Sequence, residues 1–114
     1  MKRLVAGVDI DGVVTSLALV DEFGKIYAKG SFRTSDHKVF KDYVARIKDE
    51  IDALSRGLAI PHIIAAAGIG APNGNYYTGE IENAANLAWK GRLPLAQLLG
   101  QHFSNMPVVV TNDA

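Results

Sequence analysis

The sequence predicts a single α/β domain built on a mixed five-stranded sheet with helices on its faces, its elements running β-β-β-α-β-α-β. Three observations carry this. Three β-branched runs near the amino terminus follow one another across short polar turns, which reads as an antiparallel meander. One long segment then repeats its apolar residues every three or four positions, the period of a helix face. Two later apolar runs, residues 62–68 and 107–111, bracket a second segment of helical pattern.

Residues 4–10 form the first and central strand, and Asp11-Gly12 makes the tight turn after it. Residues 13–20, rich in Val and Leu, form the second strand. Glu22-Phe23-Gly24-Lys25 is the hairpin connection, with Gly24 where a positive φ is needed, and residues 26–33 complete the meander. In the helix that follows, Val39, Phe40, Tyr43, Val44, Ile47, Ile51 and Leu54 make one apolar stripe; Lys38, Lys41, Lys48, Asp49 and Glu50 fall on the wet side. Ser35 or Asp36 is expected to cap its start, and Gly57 to end it in the left-handed region. Residues 62–68 read as a buried parallel strand. Residues 94–103 read as a helix with Pro94 in its first turn, and 107–111 as the last strand. The stretch 69–93 is too long for a plain connection, and long ordered loops are often functional. Within it, Tyr76-Tyr77 between Gly74 and Gly79 reads as a small hairpin.

Composition narrows the function. Lys plus Arg number 12 and Asp plus Glu number 12, so no basic field attracts nucleic acid or an anionic membrane. The absence of cysteine excludes disulfides, thiolate metal sites and cysteine nucleophiles. His37, His62 and His102 lack metal-ligand spacing, so no metal site is expected. No stretch approaches the roughly 20 apolar residues of a membrane span, and Asp9 interrupts the short apolar start, so a cytoplasmic protein is expected.

Three segments, in this order and spacing, resemble the ROK (repressor, ORF, kinase) family of sugar kinases. They are Asp9-Ile10-Asp11-Gly12; Gly68-Ile69-Gly70-Ala71-Pro72-Asn73-Gly74, followed by residues 81–89 with Asn86-Leu87-Ala88-Trp89; and Val108-Val109-Val110-Thr111-Asn112-Asp113-Ala114. The resemblance spans essentially the whole chain. It implies a ribonuclease-H-like, actin-like ATPase lobe: residues 1–114 as the sugar-binding amino-terminal lobe, the second lobe lying beyond this chain. It implies an ATP-dependent hexose kinase, glucose first among candidates, that transfers the γ-phosphate to the sugar 6-hydroxyl with ATP and Mg2+. Any structural zinc would belong to the second lobe. The alternative is a sugar-sensing regulator or other non-catalytic member. Such regulators carry a DNA-binding module ahead of the Asp-x-Gly turn, and only eight residues precede Asp9. The surface that would meet the second lobe is uncovered in this chain, and a homodimer through it is an expectation to test.

A sugar hydroxyl is a poor nucleophile, and a carboxylate within reach can take its proton during attack on phosphorus. By the resemblance Asp113 is that base and Asn112 a partner for a neighbouring hydroxyl, although Asn-Asp after a strand is, by itself, an ordinary turn pair. Gly70, Pro72 and Asn86 match positions that line the family's sugar pocket. Trp89 reads first as the loop's anchor on the core. Asp9 and Gly12 match the phosphate turn, where the Asp helps hold the metal–phosphate unit and glycine lets amides approach phosphate. Asp11 and Val13 stand where the family has Gly and Thr, and Thr15 or Ser16 is the nearest replacement hydroxyl.

Overall fold

The computed structural model of the chain describes residues 1–113. Strands β1 (Lys2–Ile10), β2 (Val14–Val20) and β3 (Ile26–Arg33) form the antiparallel meander. Helix α1 (Phe40–Arg56) leads to β4 (His62–Ala71), which pairs in parallel with β1. Strands β5 (Gly74–Asn75), β6 (Glu80–Glu82) and β7 (Arg92–Leu93) make a small antiparallel sheet within the long loop. Helix α2 (Leu95–His102) precedes β8 (Val108–Asn112), which lies parallel to β4. The main sheet has the order β3-β2-β1-β4-β8, the mixed five-stranded sheet expected.

Register decides what is buried. Leu4, Ala6, Val8 and Ile10 alternate onto one face of β1 and are buried there. Their neighbours Leu17 and Leu19, Ala67 and Ile69, and then Val110, share that face. Tyr43, Val44, Ile47 and Ile51 of α1 and Leu95 and Leu99 of α2 cover it. The other face carries Gly7, Asp9, Ser16, Ala18 and Gly68, all half-buried or exposed, with Ile63 and Val109 about 40% exposed. Helices were expected on both faces, and residues 62–68 as a strand buried on both; instead one side is bare. The crossovers from β3 to β4 and from β4 to β8 step across the sheet in the same direction. With the usual right-handed sense, each lays its helix on the same side.

Three local expectations also change. Ser35 and Asp36 lie in a 3₁₀ turn (Thr34–Asp36), and α1 starts after Val39 without a side-chain cap. Gly57 has φ −75°, because α1 closes through right-handed turn bonds, Gly57 N to Ala53 O and Leu58 N to Ser55 O, that need no left-handed residue. Pro94 sits just outside α2.

A buried polar knot joins three of these elements. The Tyr43 hydroxyl is 2.6 Å from Thr15 Oγ1, which is 2.7 Å from Thr34 Oγ1, and all three residues are buried. Desolvation pushes the Tyr43 phenol far above its ordinary range, against the opposing pull of the nearby Thr15 and Thr34 hydroxyls, so it stays neutral. Tyr43→Phe keeps the ring and removes the hydroxyl, leaving Thr15 with Thr34 alone. We expect a loss of about 1 kcal/mol, read as a lower urea midpoint at unchanged slope; an unaltered midpoint would show that the knot adds nothing.

Candidate functional site

The expected site residues gather at the carboxyl ends of three adjacent strands. Asp9 of β1 pairs with Gly70 of β4, and Gly70 with Thr111 of β8. The Asp113 amide donates to Ala71 O at 3.2 Å, extending that pairing one step past β8. A Cβ placed on Gly70 would stand 3.4 Å from Asp113 Cβ and 3.8 Å from Asp9 Oδ1. The missing side chain at position 70 therefore leaves a hollow between two exposed carboxylates, on the bare face of the sheet. Ligands of parallel α/β sheets bind beyond such strand ends. Ser16, directly opposite Asp9 on β2, is exposed on the same face.

The turn after β1 closes on itself. Asp11 Oδ1 accepts the Val13 amide at 2.8 Å, and the Asp11 amide donates to Val14 O at 3.2 Å. A carboxylate thus already holds one amide of the kind a phosphate would use. Gly12 faces the long loop: a Cβ there would lie 2.5 Å from the Asn86 carbonyl oxygen. Turn and loop are in backbone contact, so Gly12 and Asn86 are brought together. Thr15, by contrast, is locked in the Tyr43 knot and offers no hydroxyl to a ligand, which leaves Ser16 as the nearby hydroxyl on the Asp9 side.

The loop itself is firmly seated. Leu87 and Trp89 are buried, and the indole packs on Tyr43 at 4.4 Å and edge-on to Phe40 at 5.3 Å between ring centres. Trp89 is the loop's anchor, and Asn86 stays exposed above it. The indole Nε1 is buried without a hydrogen-bond partner. Pro72 is half-buried after Ala71, and Asn73 takes φ 54°, a left-handed conformation that asparagine tolerates. Its side-chain amide donates to the carbonyls of Glu82 at 3.0 Å and Asn83 at 3.3 Å.

Asn112 lines an open cleft of about 630 Å3 together with Asn73, Glu82 and Asn83. Alternation along the strand end turns Asn112 toward the loop side and Asp113 toward the bare side. The expected residues thus fall into three neighbouring groups: Asp9, Gly70 and Asp113; Gly12 and Asn86; Asn112 with the asparagine loop. Asn86 does not line the cleft that holds Asn112. Of the two replacement hydroxyls the sequence offers, Thr15 and Ser16, the antiparallel register places Ser16 opposite Asp9.

For a metal–phosphate unit the residues fit in part. Asp9 offers an exposed carboxylate at the strand ends, whereas the Val13 amide would have to be released by Asp11. Among the described residues no cluster of three or more His, Asp or Glu side chains is placed to hold a metal on its own.

The sequence profile of the ROK family matches residues 5–114. No curated protein sequence matches this chain significantly. Among solved structures, a ROK family glucokinase from Streptomyces griseus, in complex with glucose and AMPPNP, is 32% identical and superposes with a TM-score of 0.78. It is covered over 33% of its length by 97% of this chain. An inorganic polyphosphate/ATP-glucomannokinase from Arthrobacter sp. strain KM is 25% identical, TM-score 0.75, with 98% of this chain covering 45% of that one. A ROK family transcriptional regulator, a homolog of the E. coli MLC protein, shares the fold at 16% identity and TM-score 0.71, with 99% of this chain covering 28% of that one. The chain therefore spans a third to under half the length of the kinases it resembles. The fold is the ribonuclease-H-like, actin-like lobe expected. With the family profile running from β1 through the strand-end Asn-Asp pair, this chain belongs to the ROK family.

Proposed function

We propose that residues 1–114 are the sugar-binding amino-terminal lobe of an ATP-dependent hexose kinase, with glucose the first substrate to test. The observation that carries this reading is the hollow at Gly70, flanked by Asp9 and Asp113 at the ends of three rigid strands. A 6-hydroxyl seated there meets Asp113, which accepts its proton as the oxygen attacks, while Asn112 and Asn86 orient the remaining hydroxyls from the loop side. Gly70 and Pro72 shape the floor. Asp9 and the Gly12 turn are the residues that would hold Mg-ATP, which would supply the γ-phosphoryl group and charge neutralisation. The glucose- and AMPPNP-bound relative supports both ligands as a class. A structural zinc, if the whole protein carries one, belongs outside these residues.

The test is phosphorylation over a hexose panel by a protein containing this lobe and its second lobe. Glucose-dependent ADP formation is expected; no turnover with any hexose would overturn the reading. The 114-residue chain alone is expected to be inactive, because productive geometry needs both lobes closed on the substrate.

A sugar-sensing, non-catalytic role is the second reading, and the Asp11–Val13 bond favours it, since that turn is closed by its own anion. Asp11→Gly frees the amide and removes a negative charge beside the phosphate. In a kinase we expect nucleotide to bind about fivefold tighter, the equivalent of about 1 kcal/mol, measured by calorimetric titration. A protein that never binds nucleotide would show no gain. Cytoplasmic location is proposed with the kinase role; among the described residues no helix is long and apolar enough to cross a membrane. Homodimerisation through the bare sheet face is left as a proposal for sedimentation analysis.

A further inference from the structure

Two tyrosines stand at the rim of the Asn112 cleft and serve no purpose in the core. Tyr76 is 62% exposed and Tyr77 92%. Among the described residues each ring packs edge-on against the other alone, with ring centres 5.4 Å apart. Singly exposed apolar residues are unremarkable, but two adjacent aromatics presented outward from one turn are not.

The turn that presents them is fixed from within. Asn75 Oδ1 accepts the amides of Tyr77 at 2.8 Å and Thr78 at 3.3 Å, and Asn75 O accepts the Gly79 amide at 2.8 Å. Thr78 Oγ1 accepts the Glu80 amide at 3.2 Å. The Ala96 amide in turn donates to Gly79 O at 2.9 Å, tying the turn to α2. None of these bonds uses a tyrosine ring or hydroxyl. The chain holds the rings in place by other means, so their contribution is left for something outside the fold.

The same cleft contains both tyrosines together with Asn73, Glu82, Asn83 and Asn112. Side-chain amides and carboxylates satisfy sugar hydroxyls in pairs, while an aromatic ring covers the apolar C–H face of a pyranose. A protein partner packing an apolar knob against the rings would set the polar lining of the same cleft against an apolar surface. The volume, about 630 Å3, lies within the roughly 300–1,000 Å3 of small-molecule sites.

We propose that Tyr76 and Tyr77 form a second sugar subsite, a stacking platform that takes the distal ring of a disaccharide whose first ring lies at Asn112. This rests on the sugar-site reading given above and adds to it a substrate class larger than one hexose. Binding is by stacking and hydrogen bonds alone, with no covalent step.

The 15N-labelled chain is titrated with glucose, maltose and cellobiose, following amide signals by NMR. At least one disaccharide is expected to bind about two- to tenfold tighter than glucose, the scale of one aromatic contact, and to shift the amides of Tyr76, Tyr77 and Thr78, which glucose leaves in place. Tyr76→Ala/Tyr77→Ala is expected to bring the disaccharide down to the affinity of glucose while glucose binding stays unchanged; both rings are exposed, so folding is not at risk. If glucose shifts Gly70 and Asn112 but both disaccharides bind no tighter, the subsite is overturned and the sugar-site reading stands. If a disaccharide shifts the tyrosine turn and glucose shifts nothing, the subsite stands and the monosaccharide reading fails. If no sugar shifts any signal, both fall. A wild-type dimer that the double variant converts to monomer, without a sugar effect, overturns the subsite in favour of a protein interface.

Discussion

Asp113→Asn is expected to lower the turnover of the two-lobed protein about a hundredfold to ten-thousandfold, with sugar affinity held within a few-fold. The amide has nearly the size and shape of the carboxylate and can still accept a hydrogen bond, but it cannot carry away a proton. Position is preserved because the main chain, not the side chain, fixes the strand end: the Asp113 amide bonds Ala71 O. The side chain is exposed, so no core contact is lost. Removing one of two carboxylates around Gly70 also eases the approach of an anionic phosphate, which by itself would favour nucleotide binding. A fall in kcat therefore stands against the electrostatic trend and marks the lost base. Steady-state kinetics over the hexose panel separates the cases. A fall in kcat and kcat/KM together marks an interaction of the transition state, whereas a raised KM with unchanged kcat marks a residue that only binds sugar. An unchanged rate removes Asp113 from the mechanism.

Most of the fold was legible because period and register are local properties. The stripe from Val39 to Leu54 named α1, and the alternation of Leu4, Ala6, Val8 and Ile10 named the buried face of β1. What the sequence hid was which side each helix takes. The run Ile63-Ile64-Ala65-Ala66-Ala67 looks buried on both faces, yet Ile63 is exposed on the side where no helix lies. Small residues fit a bare face and a packed one alike, so periodicity cannot tell them apart. Strand β7, two residues long, carries no period to read. The site shows the same division. Asp9, Gly70 and Asp113 were read as parts of separate motifs, and it is the register of β1, β4 and β8 that brings them to one strand edge. Adjacency in the sequence also hid that Asn112 and Asp113, as consecutive residues of an extended strand, point to opposite sides of its end. Thr15 was a candidate ligand hydroxyl until its parity put it in the core beside Tyr43.

Gly12→Ala is expected to cost about 1–3 kcal/mol or more and to weaken sugar binding with it. In the sequence, glycine after Asp in a tight turn suggests a need for positive φ. The positive-φ glycines, however, are Gly24, Gly79 and Gly91. The reason for glycine at 12 is instead the approach of another backbone: a methyl group there would meet the Asn86 carbonyl oxygen at 2.5 Å. Neither side can yield cheaply. The turn is held by the Asp11 bonds and, through β2, by Thr15 in the buried knot. The loop is held by Leu87 and by Trp89 packed on Tyr43. Relief of the clash must therefore displace Asn86, so the stability loss and the affinity loss arise from one movement. Gly24→Ala is the control, because nothing lies within 4 Å of a Cβ there and only the φ of +84° is strained. It should destabilise by about 1 kcal/mol and leave sugar binding alone. Differential scanning calorimetry together with sugar titration of both variants decides the matter. If Gly12→Ala melts with the wild type and binds sugar equally well, the turn after β1 and the loop at Asn86 are not in contact, and the two halves of the proposed site act independently.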